Sequence, residues 1–444
     1  MNNKIHKVLL GCTALLFAIT AVLAITGISS DMTIAGIKFS ITAPFVIGAL
    51  VCLVYGIKGF EATKGFQFTA WIFVAVAVSM YFAENLMVFG NFRTTVMIVP
   101  LIQVIMFGMG SQMSLNDFKG VIQMPKGVAI GVIAPLIIMP LTAWAITKIF
   151  FPGDFCPEIL AGIILLGVVP GGLASNVMVF IARGNLPLSI TMTTLATFLA
   201  PITVPLLMVA LAGQMIEVSV VSQMISVMNM VILPVLAGFV FNMFYNKVES
   251  RKSITWQLIS YFVIVLLVGA LLMLKPDGTF NAAAISTLKN LGIFLLLPFV
   301  GAIALHNILK GDTKVIKTVL AMFSKAGIVA IIMITTSWGA AALIATGFLL
   351  IFTNLLHMTV GYFGGYGVAK LFRMNDTDAR TLAFEVGMRN GGMASGLAGA
   401  MGKIATVGLS PAVWGPLMNT VGSLLASYWR NKPPKDGSGE QVNE

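Results

Sequence analysis

The chain has 444 residues, of which 58% are hydrophobic and only 10% are charged, and its mean hydropathy is +0.97. This composition leaves too few polar side chains to cover a soluble protein of that size, so it excludes the soluble globular classes and places most of the chain in lipid. The formal charge of +11 does not indicate nucleic acid binding, because basic residues neither line a helix face nor alternate with aromatic ones. Membrane topology accounts for the charge.

Apolar stretches of about 20 residues recur along the chain, each long enough to cross a bilayer as a helix. They are continuous, whereas a membrane barrel would alternate apolar and polar residues, so the predicted fold class is an all-α polytopic membrane protein. The first stretch has no clear cleavage site and is predicted to be a retained signal anchor. The fourteen predicted spans are 8–28, 41–57, 66–83, 94–112, 126–150, 159–182, 187–212, 222–245, 254–274, 288–309, 320–338, 342–369, 380–401 and 409–429.

The basic residues predict the orientation. With the N-terminus inside, twenty of the 27 Lys and Arg residues, Arg380 among them, fall at joints on the inner side. We therefore expect both termini in the cytoplasm and a multi-pass location in the cell (inner) membrane. The tail 431–444 is rich in Pro, Lys, Gly and Ser and is predicted to be disordered. The three cysteines, Cys12, Cys52 and Cys156, form no paired framework, so we predict neither a disulfide nor a cysteine metal site.

Glu385 is the one acidic residue placed well inside a predicted span. An ionisable group at that depth costs several kcal/mol unless it is paired or faces water, so it is a candidate functional residue. Arg389 follows at the i+4 position, which would put both side chains on one helix face. A self-neutralising structural ion pair is therefore the alternative interpretation.

Two predicted spans contain sequences that should interrupt a helix at mid-membrane. One carries Pro170, Gly171 and Gly172, and the other carries Gly387, Asn390 and further glycines directly after Glu385. Proline lacks an amide donor and glycine tolerates open backbone. Interrupted spans at corresponding places in two halves of a chain indicate a transporter binding site, where free carbonyls hold cations and half-helix N-termini hold anions.

The same residues resemble the bile acid:sodium symporter family, in four motifs that occur in the family's order. The motifs lie at 106–118 with 125–126, 170–189, 385–390, and 422–429. The resemblance implies an inverted repeat of five plus five helices, with core and panel domains and two broken helices that cross in the core. It also implies secondary active transport: sodium-coupled symport of an organic anion, either bile-acid-like or a small carboxylate, by alternating access.

Carried over by motif, the resemblance assigns site residues. The expected sodium ligands are hard oxygen donors with one negative charge, which suits a small cation; they are Ser175, Asn176, Ser189, Thr193 and Glu385. Interhelical hydrogen bonding is the alternative role for the three hydroxyls. The expected substrate-binding residues are Asn390, Gly391, Asn419 and Leu173, the last at a place where relatives often have Thr.

At the positions of the family's second sodium site, this sequence departs from the family pattern. Arg389 and Pro135 stand where the family has Gln, and neither side chain can ligate a cation. The hypothesis is that Arg389 acts as a fixed surrogate cation, so that one sodium ion or none is coupled. An alternative or additional role for Arg389 is attraction of the anionic substrate.

The fourteen predicted spans exceed the family's ten by two pairs. The predicted division is an extra N-terminal helix pair at 1–65, the first repeat and the start of the second at 66–246, an extra pair at 247–312, the rest of the second repeat at 313–430, and the tail.

Two other functions remain open on the sequence. Because Arg389 can replace the ion, a sodium-independent or proton-coupled facilitator of organic anions is the first alternative. A membrane-embedded enzyme is the second, although the chain has no HExxH or GxSxG motif. His306 and His357 are predicted to be structural rather than proton carriers.

Overall fold

The computed structural model describes residues 3–26, 31–34, 37–60, 66–114, 120–151, 153, 155–217, 219–245, 302, 305, 308, 312–432 and 434. In this part of the chain the fold is almost entirely helical, as predicted. The helices are α1 (Asn3–Ile25), α2 (Ala43–Ile57), α3 (Gln67–Tyr81), α4 (Ala83–Met87), α5 (Ile98–Gly110), α6 (Pro125–Ile149), α7 (Pro157–Val168), α8 (Leu173–Ile181), α9 (Leu186–Ala212), α10 (Val220–Val227), α11 (Leu233–Tyr245), α12 (Thr313–Trp338), α13 (Ala340–Leu371), α14 (Asp376–Gly387), α15 (Gly391–Ala400) and α16 (Leu409–Arg430).

Among the described residues, six helical stretches are long and apolar enough to cross a membrane, and four shorter ones are also apolar. The predicted span 254–274 lies outside the described residues, and only residues 302, 305 and 308 of the predicted span 288–309 are described. Elsewhere in the predicted pair 247–312, the structure describes residue 312 alone. Each remaining predicted span coincides with a helix or with two consecutive helices. One span combines α10, a π-helix (Met228–Ile232) and α11.

Two short antiparallel hairpins stand where the sequence predicted only joints. Strands β1 (Asp31–Ile34) and β2 (Ile37–Ser40) pair between α1 and α2, and β3 (Val88–Phe89) pairs with β4 (Phe92–Arg93) before a 3-10 turn (Thr94–Met97) that leads into α5. In the second hairpin Gly90 has a φ of +60°, the left-handed conformation that tight hairpin turns require. These segments are too short for their alternation to show in a hydropathy pattern.

The helices form two packed groups. Helices α6 to α9 pack with α13 to α16 to form the core domain, and α3, α5, α11 and α12 pack together as the panel domain. Helix α1 packs on α2, and α2 packs on α3, so the N-terminal pair adjoins the panel. The main contact between panel and core joins α5 to α15, where Gly396 faces Ile102 and Gly399 faces Ile98.

The core contains the two interrupted spans. Helices α7 and α8 are separated at Val169–Gly172, and α14 and α15 are separated at Met388–Asn390, so both predicted interruptions are confirmed. Helix α8 ends with a left-handed Arg183 (φ +56°), and α15 ends with a left-handed Gly402 (φ +70°). The same backbone hydrogen bond closes both ends, from Gly184 to Val179 and from Lys403 to Ala398.

The two broken helices run in opposite directions. The end of α8 lies beside the start of α14, where Arg380 donates to the Ala182 carbonyl at 3.1 Å. The end of α15 lies beside the start of α7, where Lys403 forms an ion pair with Glu158. This antiparallel crossing of matching elements is the arrangement that an inverted repeat produces.

Glycines bring α13 into close contact with α14, the helix that carries Glu385. A Cβ atom at Gly365 would lie 2.5 Å from the Leu382 carbonyl oxygen, and one at Gly361 would lie 2.8 Å from Gly387 Cα. Both neighbours are backbone atoms and cannot move aside without displacing α14. The position of Glu385 therefore depends on small residues of α13.

We expect Gly365→Ala to destabilise the protein by roughly 1–3 kcal/mol, because the added methyl group overpacks the α13–α14 contact. The matched control is Gly367→Ala on the same helix, where a Cβ meets nothing within 4 Å. Thermal unfolding of the two purified variants in detergent checks this. An equal midpoint for both variants would show that the contact does not constrain α14.

Candidate ion-binding site at the crossing of the broken helices

Backbone atoms join the two interruptions directly. The Asn390 amide of the second interruption donates to the Pro170 carbonyl of the first at 2.9 Å. A Cβ at Gly171 would lie 3.1 Å from Glu385 Oε2, so the glycine leaves space beside that carboxylate. The two interruptions and Glu385 therefore share one location in the core.

The Glu385 side chain is only 3% exposed and is surrounded by hydroxyl groups. Ser175 Oγ and Ser189 Oγ each lie 2.6 Å from Oε1, and Thr193 Oγ1 lies 2.7 Å from Oε2. The first serine comes from α8, and the other two residues lie one turn apart on α9. Three helices thus meet around one carboxylate.

Asn176 completes the cluster. Its Oδ1 lies 2.6 Å from Ser189 Oγ and 3.3 Å from Thr193 Oγ1, while Ser175 Oγ also lies 2.7 Å from the Gly172 carbonyl oxygen. With Asn176 in this orientation, each hydroxyl is close to two acceptor oxygens but carries a single hydrogen. The cluster therefore contains more acceptors than hydrogens. The structure brings together all five residues predicted as sodium ligands.

Arg389 does not form the helical ion pair that is the alternative interpretation of the sequence. Helix α14 ends at Gly387 and the chain is extended at Met388, so the i+4 geometry is lost. Among the described residues, the salt bridges link Lys370 and Arg380 to Asp376 and Lys403 to Glu158. Arg389 Nη2 instead lies 3.3 Å from the Gly167 carbonyl, in the last turn of α7, with the side chain 1% exposed.

A small cavity of about 10 Å³ separates Arg389 from α6 and α9. Its walls include Pro135, Pro170, Gly171, Glu385 and Arg389. A cavity of that size has room for about one water molecule. The two residues that replace the family's glutamines, Arg389 and Pro135, therefore line the same cavity beside Glu385.

The residues predicted to contact substrate lie around the start of α15. Asn390 caps this helix, with its Oδ1 accepting from the Met393 amide at 3.0 Å, and Gly391 is the first residue of the helix. Leu173 begins α8, and the neighbouring Gly172 faces Asn390. Asn419, on α16, donates to the Gly415 carbonyl, one turn from the segment that faces Gly391.

Buried polar atoms without a partner among the described residues surround the second interruption. They are Arg389 Nε, His357 Nδ1, Trp414 Nε1 and Tyr362 Oη. His357 Nε2 lies 3.0 Å from the Met139 carbonyl, and its ring packs edge-on against Trp414. Sequence reasoning did not find Trp414, because one tryptophan in an apolar span carries no signal. Unpaired buried polar atoms are rare and indicate space for a ligand or water.

A second cluster missed by the sequence ties the two halves together at the start of α14. Arg380 and Asp376 form an ion pair at 3.0 Å with both side chains 4% exposed, so this basic residue of an inner-side joint is buried. Burial by itself would raise the pKa of Asp376, but hydrogen bonds from Tyr366 and Lys370 and the charge of Arg380 outweigh it and lower the pKa to about 2. The carboxylate is therefore charged at neutral pH and pairs with Arg380 at the start of the broken helix.

Replacing Asp376 with Asn should lower the thermal midpoint by roughly 5 °C or more, because a buried guanidinium loses its counter-ion, a change that costs about 3–5 kcal/mol. Glu84→Gln, at an exposed position in the first turn of α4, makes the same chemical change and should leave the midpoint unaltered. A small effect of both substitutions in thermal scans would mean that Arg380 finds another partner.

The crossed broken helices in a helical core define the architecture of an inverted-repeat membrane transporter. A family model described as the sodium bile acid symporter family matches residues 99–280. An uncharacterised sodium-dependent transporter, YocS, of Bacillus subtilis (strain 168) is 30% identical over 378 residues, which cover 85% of this chain and 95% of that protein. The chain belongs to the sodium bile acid symporter family, which confirms the resemblance seen in its motifs.

Two further known proteins are similar to the chain. A probable sodium/metabolite cotransporter of Oryza sativa subsp. japonica, chloroplastic BASS1, is 26% identical over 375 residues, or 83% of this chain and 73% of that protein. Among solved structures, the sodium proton antiporter MjNhaP1 from Methanocaldococcus jannaschii aligns over 88% of this chain and 98% of its own, with a TM-score of 0.46 and 11% identity.

Proposed function

We propose that the protein is a sodium-coupled symporter of an organic anion that works by alternating access in the cell membrane, with both termini in the cytoplasm. Membership of a sodium-dependent transporter family supports the general class. The observation that carries the proposal is the oxygen cluster around Glu385, in which acceptors outnumber hydrogens.

A cation suits that cluster for two reasons. First, hydroxyl, amide and carboxylate oxygens are the ligands that a hard monovalent cation prefers. Second, a cation among Ser175, Ser189 and Glu385 would neutralise a charge that is expensive to bury and would coordinate the oxygens for which the hydroxyl hydrogens are too few. Since the ligands come from α8, α9 and α14, ion binding would fix the crossing of the broken helices.

One sodium ion, not two, is the proposed stoichiometry. The Arg389 guanidinium lies at the C-terminal end of α7, where the helix dipole favours a cation, and donates there to the Gly167 carbonyl. A permanently protonated group in this place provides the charge that a second ion would otherwise bring. Thus Arg389 is proposed as the surrogate second cation.

The substrate is proposed to be a bile-acid-like or small carboxylate held at the starts of α8 and α15. Helix N-termini favour anions, and Asn390, Gly391 and Asn419 lie around this place. The Trp414 Nε1 donor is buried nearby without a partner among the described residues. The glycine-lined contact of α15 with α5 provides a smooth surface on which the core domain can move against the panel.

A sodium-independent or proton-coupled facilitator is the second candidate. The specific observation in its favour is Arg389, which already supplies a buried positive charge beside Glu385. Catalysis is not proposed, since the relatives of the chain are named as transporters.

Sodium should stabilise the purified wild-type protein relative to choline, by roughly 2–3 kcal/mol at a hundred times the dissociation constant. Thr193→Val should weaken this effect by removing a proposed ligand, and Glu385→Gln should abolish it. The matched control is Thr197→Val, one turn along α9, because among the described residues that buried hydroxyl donates to the Thr193 carbonyl and not to Glu385. Thermal scans across a sodium series provide the measurement. Sodium stabilisation that persists in Glu385→Gln would place the ion elsewhere.

Removing the surrogate cation should restore a second ion site. In the double variant Arg389→Gln with Pro135→Gln, the Hill coefficient for sodium should rise from about one towards two, because two side-chain oxygens then line the cavity beside Glu385. Arg389→Lys retains the positive charge and should keep a coefficient of about one. Sodium-dependent stabilisation or uptake in proteoliposomes gives the slope. An unchanged slope in the double variant would contradict the surrogate role.

A further inference from the structure

An apolar groove runs along the outer face of the core domain between α13 and α16. Its volume is about 630 Å³, and two of its wall residues are strongly exposed: Phe363 at 76% and Leu424 at 57%. Its walls are mostly aromatic and aliphatic and include Tyr362, Tyr366, Leu425, Tyr428 and Trp429. In a chain that spans a membrane, such a face meets lipid acyl chains.

Cations gather at one end of this groove. Lys370 Nζ lies 5.4 Å from the ring centre of Tyr366, and Lys432 Nζ lies 4.4 Å from that of Tyr428 and 2.6 Å from its Oη. Arg430, the last residue of α16, is exposed at the same end. Asp376, an acid at this end, is buried and pairs with Arg380 and Lys370, while Arg430 and Lys432 form no ion pair with the residues that the structure describes.

The groove has the length of one lipid leaflet. From Thr359 to Lys370 the helix α13 rises about 16 Å, at about 1.5 Å per residue, which is half of the roughly 30 Å hydrocarbon thickness of a bilayer. An acyl chain lying in the groove would therefore place its headgroup among the lysines. The positive-inside pattern puts this end on the cytoplasmic side, where basic residues beside membrane helices attract anionic lipids.

We propose that the groove is a binding site for an anionic phospholipid, with the headgroup at Arg430 and Lys432, beside the Lys370–Asp376 pair, and an acyl chain between α13 and α16. The apolar wall and the cationic end together match both parts of such a molecule. This site is separate from the crossing of the broken helices and does not depend on the proposed symport.

The floor of the groove contacts the helix that carries Glu385. The rings of Tyr362 and Trp429 pack edge-on against Phe384, with centroids 5.8 and 5.5 Å away, and Phe384 directly precedes Glu385. Lipid in the groove would therefore stabilise α14 on the side that packs against Tyr362 and Trp429. Phe384 thus connects the proposed lipid site to the candidate ion site.

Delipidated full-length protein, titrated with phosphatidylglycerol or phosphatidylcholine and followed by native mass spectrometry and thermal unfolding, tests the proposal. We expect tighter binding and a larger rise in midpoint with phosphatidylglycerol. The double variant Arg430→Gln with Lys432→Gln should weaken phosphatidylglycerol binding by roughly tenfold or more while leaving phosphatidylcholine unchanged, since each basic residue near an anionic surface contributes measurably to the attraction. Both residues are exposed, so the fold should be unaffected.

Two further variants make the test specific. Arg93→Gln removes a cation that lies 5.4 Å from the ring centre of Trp338, away from the groove, and should leave binding of both lipids unaltered. Leu425→Trp narrows the groove and should reduce retention of both lipids. Equal binding of the two lipids, or full phosphatidylglycerol binding by the double variant, would overturn the proposal. So would a wild-type dimer in the native mass spectrum that the groove variants lose, because the groove would then be covered by a second copy of the chain.

Discussion

The buried carboxylate of Glu385 is the constraint on which the rest of the core depends. A charge at mid-membrane must be surrounded by polar groups, and here these come from Ser175, Ser189 and Thr193 on two other helices. Gly171 leaves room beside the carboxylate, and glycines of α13 let that helix pack closely against α14. The need to solvate one carboxylate thus determines where α8, α9 and α14 meet.

The crossing is held at its centre and at both ends. At the centre the Asn390 amide donates to the Pro170 carbonyl. At the ends Arg380 donates to the Ala182 carbonyl and Lys403 pairs with Glu158, so each of these contacts joins one broken helix to the other. Open backbone is tolerated within the membrane only where protein or water satisfies it. These contacts stabilise the two interrupted stretches of backbone beside Glu385. The polar backbone groups of these stretches can then contact an ion or a carboxylate.

Much of this arrangement was predictable from the sequence. Hydropathy located the described spans, and the Pro170-Gly171-Gly172 pattern located an interruption, because these residues act through local backbone chemistry. Contacts between distant segments were harder to predict. The Glu385–Arg389 spacing suggested a helical pair, but the helix ends between them and Arg389 turns to the Gly167 carbonyl. Likewise Arg380 served only as an indicator of membrane topology in the sequence, because the burial of its ion pair with Asp376 becomes apparent only in the folded chain.

In the proposed mechanism Glu385 holds one sodium ion and Arg389 takes the place of a second. Equilibrium binding of radioactive sodium to the purified protein, without transport, measures this stoichiometry directly. We expect one ion per wild-type chain and none in Glu385→Gln, a variant that preserves the size of the side chain but replaces one charged acceptor oxygen with an amide donor. Two ions per wild-type chain, or one ion that remains in Glu385→Gln, would contradict it.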